Sequence, residues 1–148
     1  MTIQNLIEEY KKSNKTGIFE LKEGEIINEI IRKNEVPNSY GIYIIYSIKD
    51  LSKDIIYIGK SGTMINDGTF KRQGIAKRLT KIQNGLQRNI YFQNVIKEYK
   101  FEKLEFLWIT TFDENDEKYQ EIPSLSESKM MQAYFRQYKK LPLLNKEA

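Results

Sequence analysis

A chain of 148 residues without a cysteine or a histidine is one domain's worth of protein, long enough to bury about 68–70% of its extended-chain surface without a covalent or metal staple. The missing residue types exclude a disulfide framework, zinc fingers, a thiol nucleophile and any triad with an imidazole base, so acids, bases and ligands must come from Asp, Glu, Lys, Arg, Tyr or the backbone. The 24 Lys and Arg against 20 Asp and Glu leave a net charge of only +4, which names no partner until its distribution is read. Met1 to Lys12 mixes Glu8 and Glu9 with Lys11 and Lys12 and does not read as a secretory leader. The longest strongly apolar stretch, Ile42 to Tyr46, is far short of the roughly 20 residues that span a bilayer, so the expectation is a soluble, cytoplasmic protein.

No repeat or flexible linker divides the chain. It reads as one globular unit, with residues 1–38 an N-terminal extension packed on a domain of residues 39–148. In the extension, Ile3, Leu6, Ile7 and Tyr10 predict a helix, Ile18 to Leu21 a strand, and Ile26, Ile27, Ile30 and Ile31 a second helix ended by Asn34 and Pro37. Tyr40 to Tyr46 and Ile55 to Gly59 are dense in β-formers and predict an antiparallel hairpin. Alternation places Gly41, Tyr43 and Ile45 on one face, and a matching register in the second strand would bring Tyr57 and Gly59 to the same side. A loop from Ser61 to Gly74 leads to a predicted helix over Ile75 to Gln83, with Ile75, Leu79 and Ile82 as its stripe. A helix over Ile90 to Tyr99, a strand over Leu104 to Thr111, an acidic turn from Asp113 to Glu121 and a helix over Leu125 to Tyr138 follow. Strands and helices without repeated βαβ units predict an α+β fold, a small, mainly antiparallel sheet flanked by helices.

Charge is segregated along the chain. Thr69 to Lys100 carries a net of +7, Asp113 to Glu127 a net of −5, and Lys129 to Lys146 a net of +5. Lys71, Arg72, Lys77, Lys81 and Arg88, interleaved with Tyr91, Phe92, Tyr99 and Phe101, suit a polyanion, because cations neutralise phosphates and aromatics stack on bases. A solvated basic helix surface accounts for the same charges.

Gly41-Ile42-Tyr43, then Tyr57-Ile58-Gly59 after thirteen intervening residues, then Arg78, Glu127 and Asn145 in that order, resemble the GIY-YIG nuclease domain over about residues 39 to 146. The resemblance implies a metal-dependent endonuclease that hydrolyses phosphodiester bonds in DNA, with RNA left open. It implies Tyr43 as the base for the attacking water, Tyr57 as its assistant, Arg78 as the phosphate clamp, and Glu127 as the ligand of one Mg²⁺ or Mn²⁺. Asn145 would position the site or its ligand.

Each residue also has a reading of its own. A phenol with a free pKa of about 10 needs a cation to serve as a base, and Lys60 could supply it; both tyrosines could equally be half-buried strand residues. Arg78 flanks the apolar stripe of its helix and could clamp a phosphate or cover the seam between helix and sheet, with Arg72 as the rival clamp. Ser124 and Glu127 fit a capping box, yet Glu127 also shares a helical face with Met130, Met131 and Tyr134, where an unpaired carboxylate is costly. Asn145 could be no more than a turn residue. Gly59-Lys60-Ser61 is no phosphate loop, because Asp54 stands where that motif needs glycine.

Two departures from the family stand out. Ile82 occupies the position where many members carry His or Tyr, and the long loop from Thr63 to Gly74 carries Lys71 and Arg72 towards the substrate side. A catalytically degenerate nucleic-acid-binding domain of the same fold, and an interaction domain for an acidic partner, are the alternatives.

Overall fold

The computed structural model describes residues 1–71, 74–80, 82–83 and 86–148, and only the backbone of Ile82, Gln83 and Leu86. Arg72 and Lys81 therefore lie outside the described residues. The fold is α+β, as the alternation of patterns predicts: four antiparallel strands in the spatial order β1 (Lys15–Lys22), β6 (Lys103–Phe112), β2 (Tyr40–Lys49) and β3 (Ser52–Ser61), with helices on both faces.

The N-terminal helix α1 (Ile3–Ser13) is capped by Thr2, whose hydroxyl accepts from the Asn5 backbone at 3.1 Å, and Lys11 and Lys12 complement the helix dipole in its last turn. Strand β1 (Lys15–Lys22) pairs along its whole length with β6 (Lys103–Phe112), from Lys15 opposite Thr110 to Lys22 opposite Lys103. Residues 1–38 thus supply an edge of the main sheet, together with α2 (Ile27–Lys33). Strands β2 (Tyr40–Lys49) and β3 (Ser52–Ser61) are longer than their apolar runs and meet in a two-residue turn. Asp50 and Leu51 both have positive φ, 49° and 68°, which matches the right-handed twist of the hairpin.

Alternation along β2 divides the core in two. Tyr43 and Ile45 join Phe19, Leu21, Leu104 and Phe106 on one face, under α2, α3 (Ile75–Arg78) and α4 (Arg88–Tyr99). Ile42, Ile44, Ile58, Leu107 and Ile109 line the other, under α1 and α5 (Pro123–Tyr138). A bulge between Ile45 and Tyr46 leaves Ile56 without a cross-strand partner, which sends both Ile56 and Tyr57 to the first face.

Three local expectations are corrected. The helix over Ile75 to Gln83 is a single turn ending at Arg78: Thr80 donates its hydroxyl back to the Lys77 carbonyl at 2.9 Å, and Ile82–Gln83 becomes β4, paired with β5 (Leu86–Gln87). The capping box at Ser124 does not form. Helix α5 opens on Pro123 at its first position, which prefers proline because no N–H is needed there, and Ser124 is an exposed residue inside the first turn. The anchor of this helix end is Glu121, which accepts hydrogen bonds from the Tyr10 hydroxyl, from Ser126 Oγ at 2.8 Å and from Lys129 Nζ at 3.2 Å. Burial opposes ionisation of that carboxyl, but the three donors outweigh it and hold it below the usual range, while burial and the same contact push the Tyr10 phenol up. Thirdly, Phe92 is not a surface stacking platform; it is 1% exposed and packs edge-on against Phe106.

No helix among the described residues is long and apolar enough to cross a membrane.

Candidate active site around the end of strand β3

The two motif glycines are explained by close approach. A side chain at Gly41 would run into the Ile109 carbonyl oxygen of β6. A Cβ at Gly59 would lie 2.5 Å from Tyr43 Cζ and 2.6 Å from Tyr57 Cε2, because Tyr43 is directly opposite Gly59 in the ladder and its ring lies across the glycine. The glycine is the floor on which the two tyrosines meet. Their ring centroids are 5.8 Å apart with an interplanar angle of 26°, so both project from one face, as alternation predicts.

Their exposures differ. Tyr57 reaches the surface in part, whereas Tyr43 is 1% exposed and its hydroxyl has no hydrogen-bond partner of normal length among the described residues. Burial pushes the Tyr57 phenol above its ordinary range and the adjacent Tyr43 adds to this, while Arg88 and Arg78 pull the other way. Contact with a surface water is therefore open to Tyr57 before Tyr43, the reverse of the order that the resemblance implies.

Lys60 and Glu127 belong to the opposite face. Lys60 is one residue beyond Gly59 and pairs with Ile42, and Glu127 rides on α5 beside the buried Met130, Met131 and Tyr134. Glu127 is half-buried and makes no hydrogen bond or ion pair of contact distance among the described residues. Burial pushes its carboxyl above the usual range, and the positive charges of Lys60 and Arg78 offset this only in part. The positive charge of Arg78, at the end of α3, is felt by both Tyr57 and Glu127, which stand on opposite faces of the sheet. Beside Glu127 is a surface depression of about 340 Å³ whose walls include Met131, Phe135 and Leu141.

Asn145 contacts the backbone of β3. Its Oδ1 accepts from the Ile58 N–H and its Nδ2 donates to the Ile58 carbonyl, both at 2.9 Å, and the Leu144 N–H donates to the Ile56 carbonyl at 2.8 Å. The amide is spent on the backbone of β3 between Tyr57 and Gly59. The backbone N–H of Asn145 also closes a turn onto the Pro142 carbonyl at 3.0 Å, so Asn145 is both a turn residue and a brace on β3.

The basic set separates. Lys71 and Lys77 are exposed, Arg72 and Lys81 fall outside the described residues, and Arg88 is no surface residue: it is 1% exposed. Net charge along a segment cannot reveal which helix face a cation occupies. Periodicity could have done so, since Arg88 precedes the buried Phe92, Val95 and Ile96 by four, seven and eight positions.

A divalent ion fits here in one way. Among the described residues no three acidic side chains gather to form a cage, and the single carboxylate of Glu127 is flanked by cations. That donor set can hold a Mg²⁺-like ion only when water and phosphate oxygens complete its coordination. Ion and phosphate would then bind together. No protein-family model, no curated protein and no solved structure matches the chain significantly.

Proposed function

We propose that this protein is a metal-dependent endonuclease of the GIY-YIG type that hydrolyses phosphodiester bonds in DNA. The observation that carries the proposal is the gathering of Tyr57 and Lys60 on β3, Arg78 from α3 and Glu127 from α5, three separate segments of the sequence, around one end of β3. Lys60 and Arg78 oppose the charge that builds on a phosphoryl group during attack, Arg78 with a planar fork suited to two oxygens. Glu127 would hold the divalent ion, which supplies Lewis acidity towards a phosphate oxygen. The attacking water would meet the Tyr43–Tyr57 pair at Tyr57, the phenol that reaches the surface, which would take the water's proton as it passes its own on to solvent. Asn145 keeps the strand that carries Tyr57 and Gly59 in place.

The test is cleavage of duplex, branched and single-stranded DNA with Mg²⁺ or Mn²⁺. Arg78→Ala and Glu127→Gln are expected to lose at least a hundredfold in rate while retaining the wild-type melting transition. Equal cleavage by wild type and Glu127→Gln on every substrate would overturn the proposal.

A second reading, a nucleic-acid-binding domain without turnover, is favoured by Ile82 and by the closed position of the Tyr43 hydroxyl. It requires binding whose log K falls by about 0.9 per phosphate contacted for each decade of salt, and no cleavage with either ion.

A further inference from the structure

Arg88 is the largest fully buried side chain among the described residues, and its Nε and Nη2 have no hydrogen-bond partner. Among those residues, no carboxylate pairs with it. A guanidinium does not shed its proton in a protein, so burial cannot be relieved by neutralisation, and a buried charge without a partner is strongly destabilising. The shifted groups that feel it are phenols, Tyr57 and Tyr91, which are neutral at physiological pH by their ordinary values and pushed further up by burial. Below the guanidinium is the Phe92 ring, its centroid 5.8 Å from Cζ, which offers a cation a π face but no acceptor atom.

The Tyr43 hydroxyl belongs to the same cluster. Its ring stacks on Tyr57, and Tyr91 feels both Tyr43 and Arg88. Among the described residues, Arg88 Nε and Nη2 and the Tyr43 hydroxyl are thus three buried polar atoms without a hydrogen-bond partner of normal length, the phenol of Tyr57 standing beside that of Tyr43. The deficit is of acceptors, and the charge is positive. A neutral acceptor could take the donated hydrogens but would leave the charge; an oxyanion answers both.

We propose that Arg88 and the Tyr43 hydroxyl form an oxyanion receptor that takes an oxygen of a phosphate group, reached past the partly exposed Tyr57 and Tyr91. This assignment rests on the nuclease reading for the identity of the anion as a nucleic-acid phosphate. It gives the site a second guanidinium on the face opposite Lys60 and Glu127, and it gives the buried Tyr43 hydroxyl a donor's task.

The experiment follows thermal unfolding and calorimetric binding of inorganic phosphate against chloride at constant ionic strength, and binding of a short DNA duplex without terminal phosphates. It uses the full chain as wild type, Arg88→Met, Arg88→Lys and Tyr43→Phe, with no divalent ion present. Phosphate is expected to raise the wild-type melting temperature. Affinity for phosphate should fall at least tenfold in Arg88→Met and Arg88→Lys, and severalfold in Tyr43→Phe. In chloride, Arg88→Met should melt at or above the wild type, because an uncompensated charge has been removed.

Wild-type phosphate affinity in Arg88→Lys, or an Arg88→Met protein that melts well below wild type in chloride, would overturn the receptor and make Arg88 a structural cation. Duplex binding weakened tenfold by Arg88→Met assigns the receptor to a phosphodiester. Phosphate binding without duplex binding keeps the receptor, assigns it to a free phosphate or phosphomonoester, and removes the nuclease reading alone. None of these readouts uses cleavage.

Discussion

Glu121 and Glu127 are six residues apart, at the entrance and in the second turn of α5, and their environments push them in opposite directions. Glu121 is met by Tyr10, Ser126 and Lys129, and its carboxyl ionises more readily than usual. Glu127 has no hydrogen-bond donor among the described residues, faces Lys60 and Arg78 at a distance, and ionises less readily than usual. The first is a finished structural contact that ties α1 to α5. The second is an unfinished one, in which cations are near but do not close; on the proposed nuclease reading, a substrate phosphate and its ion would bring the missing ligands. A carboxylate that the fold satisfies and one that it leaves waiting can thus be told apart by their donors.

The comparison can be broken most forcefully at Glu127. Replacement by glutamine is expected to cost at least a hundredfold in cleavage, about 2.7 kcal/mol of transition-state stabilisation, while the melting temperature stays level or rises. A melting temperature that falls as far as that of Glu121→Gln would show that Glu127 is structural too. Glu121→Gln is expected to do the reverse: a loss of about 2 kcal/mol for hydrogen bonds to a charged acceptor, seen as a fall of about 4–8 °C in melting temperature, with cleavage per folded molecule unchanged. The smallest effect sharpens the contrast through pH. Because the folded state lowers the Glu121 pKa, its contribution is present above the unfolded carboxylate value of about 4.3 and is lost as pH falls through the folded value. For Glu127 the folded pKa is raised, so the relative stabilisation is complete below the unfolded value and is lost as pH rises through the folded one. Melting curves from pH 3 to 8 should therefore show the Glu121→Gln deficit disappearing in acid and any Glu127→Gln gain appearing only towards neutrality.

Much of this arrangement is legible in the sequence, because the features that are legible are local and periodic. The hairpin, its β-formers and the shared face of Tyr43 and Tyr57 follow from alternation alone, and the helical stripe of Met130, Met131 and Tyr134 places Glu127 inward. What escapes is decided between distant segments. The turn at Ile75–Arg78 does not continue into the expected helix because Ile82 and Gln83 find strand partners in Leu86 and Gln87. The capping box yields because Pro123 opens the helix and Ser126 gives its hydroxyl to Glu121. Arg88 was counted with its neighbours as surface charge, and only its spacing to Phe92 and Ile96 separates it from Lys77, which is exposed. The division of site residues between two faces of the sheet is also invisible from motif order, which lists Tyr57, Gly59 and Lys60 as neighbours although the pleat turns Lys60 away from the other two.

The hold of the C-terminal residues on β3 has a consequence for the behaviour of the chain in solution. β3 is the outermost strand on its side of the sheet, and an open edge of that kind is a template for pairing with another molecule. Leu144 and Asn145 occupy its backbone groups at Ile56 and Ile58, so the last few residues act as a cover strip against edge-to-edge association. Trimming the chain before Leu144 would leave those groups unpaired and turn a covered flank into an adhesive one. The same residues that brace the floor beneath the tyrosines thereby guard the protein against its own copies.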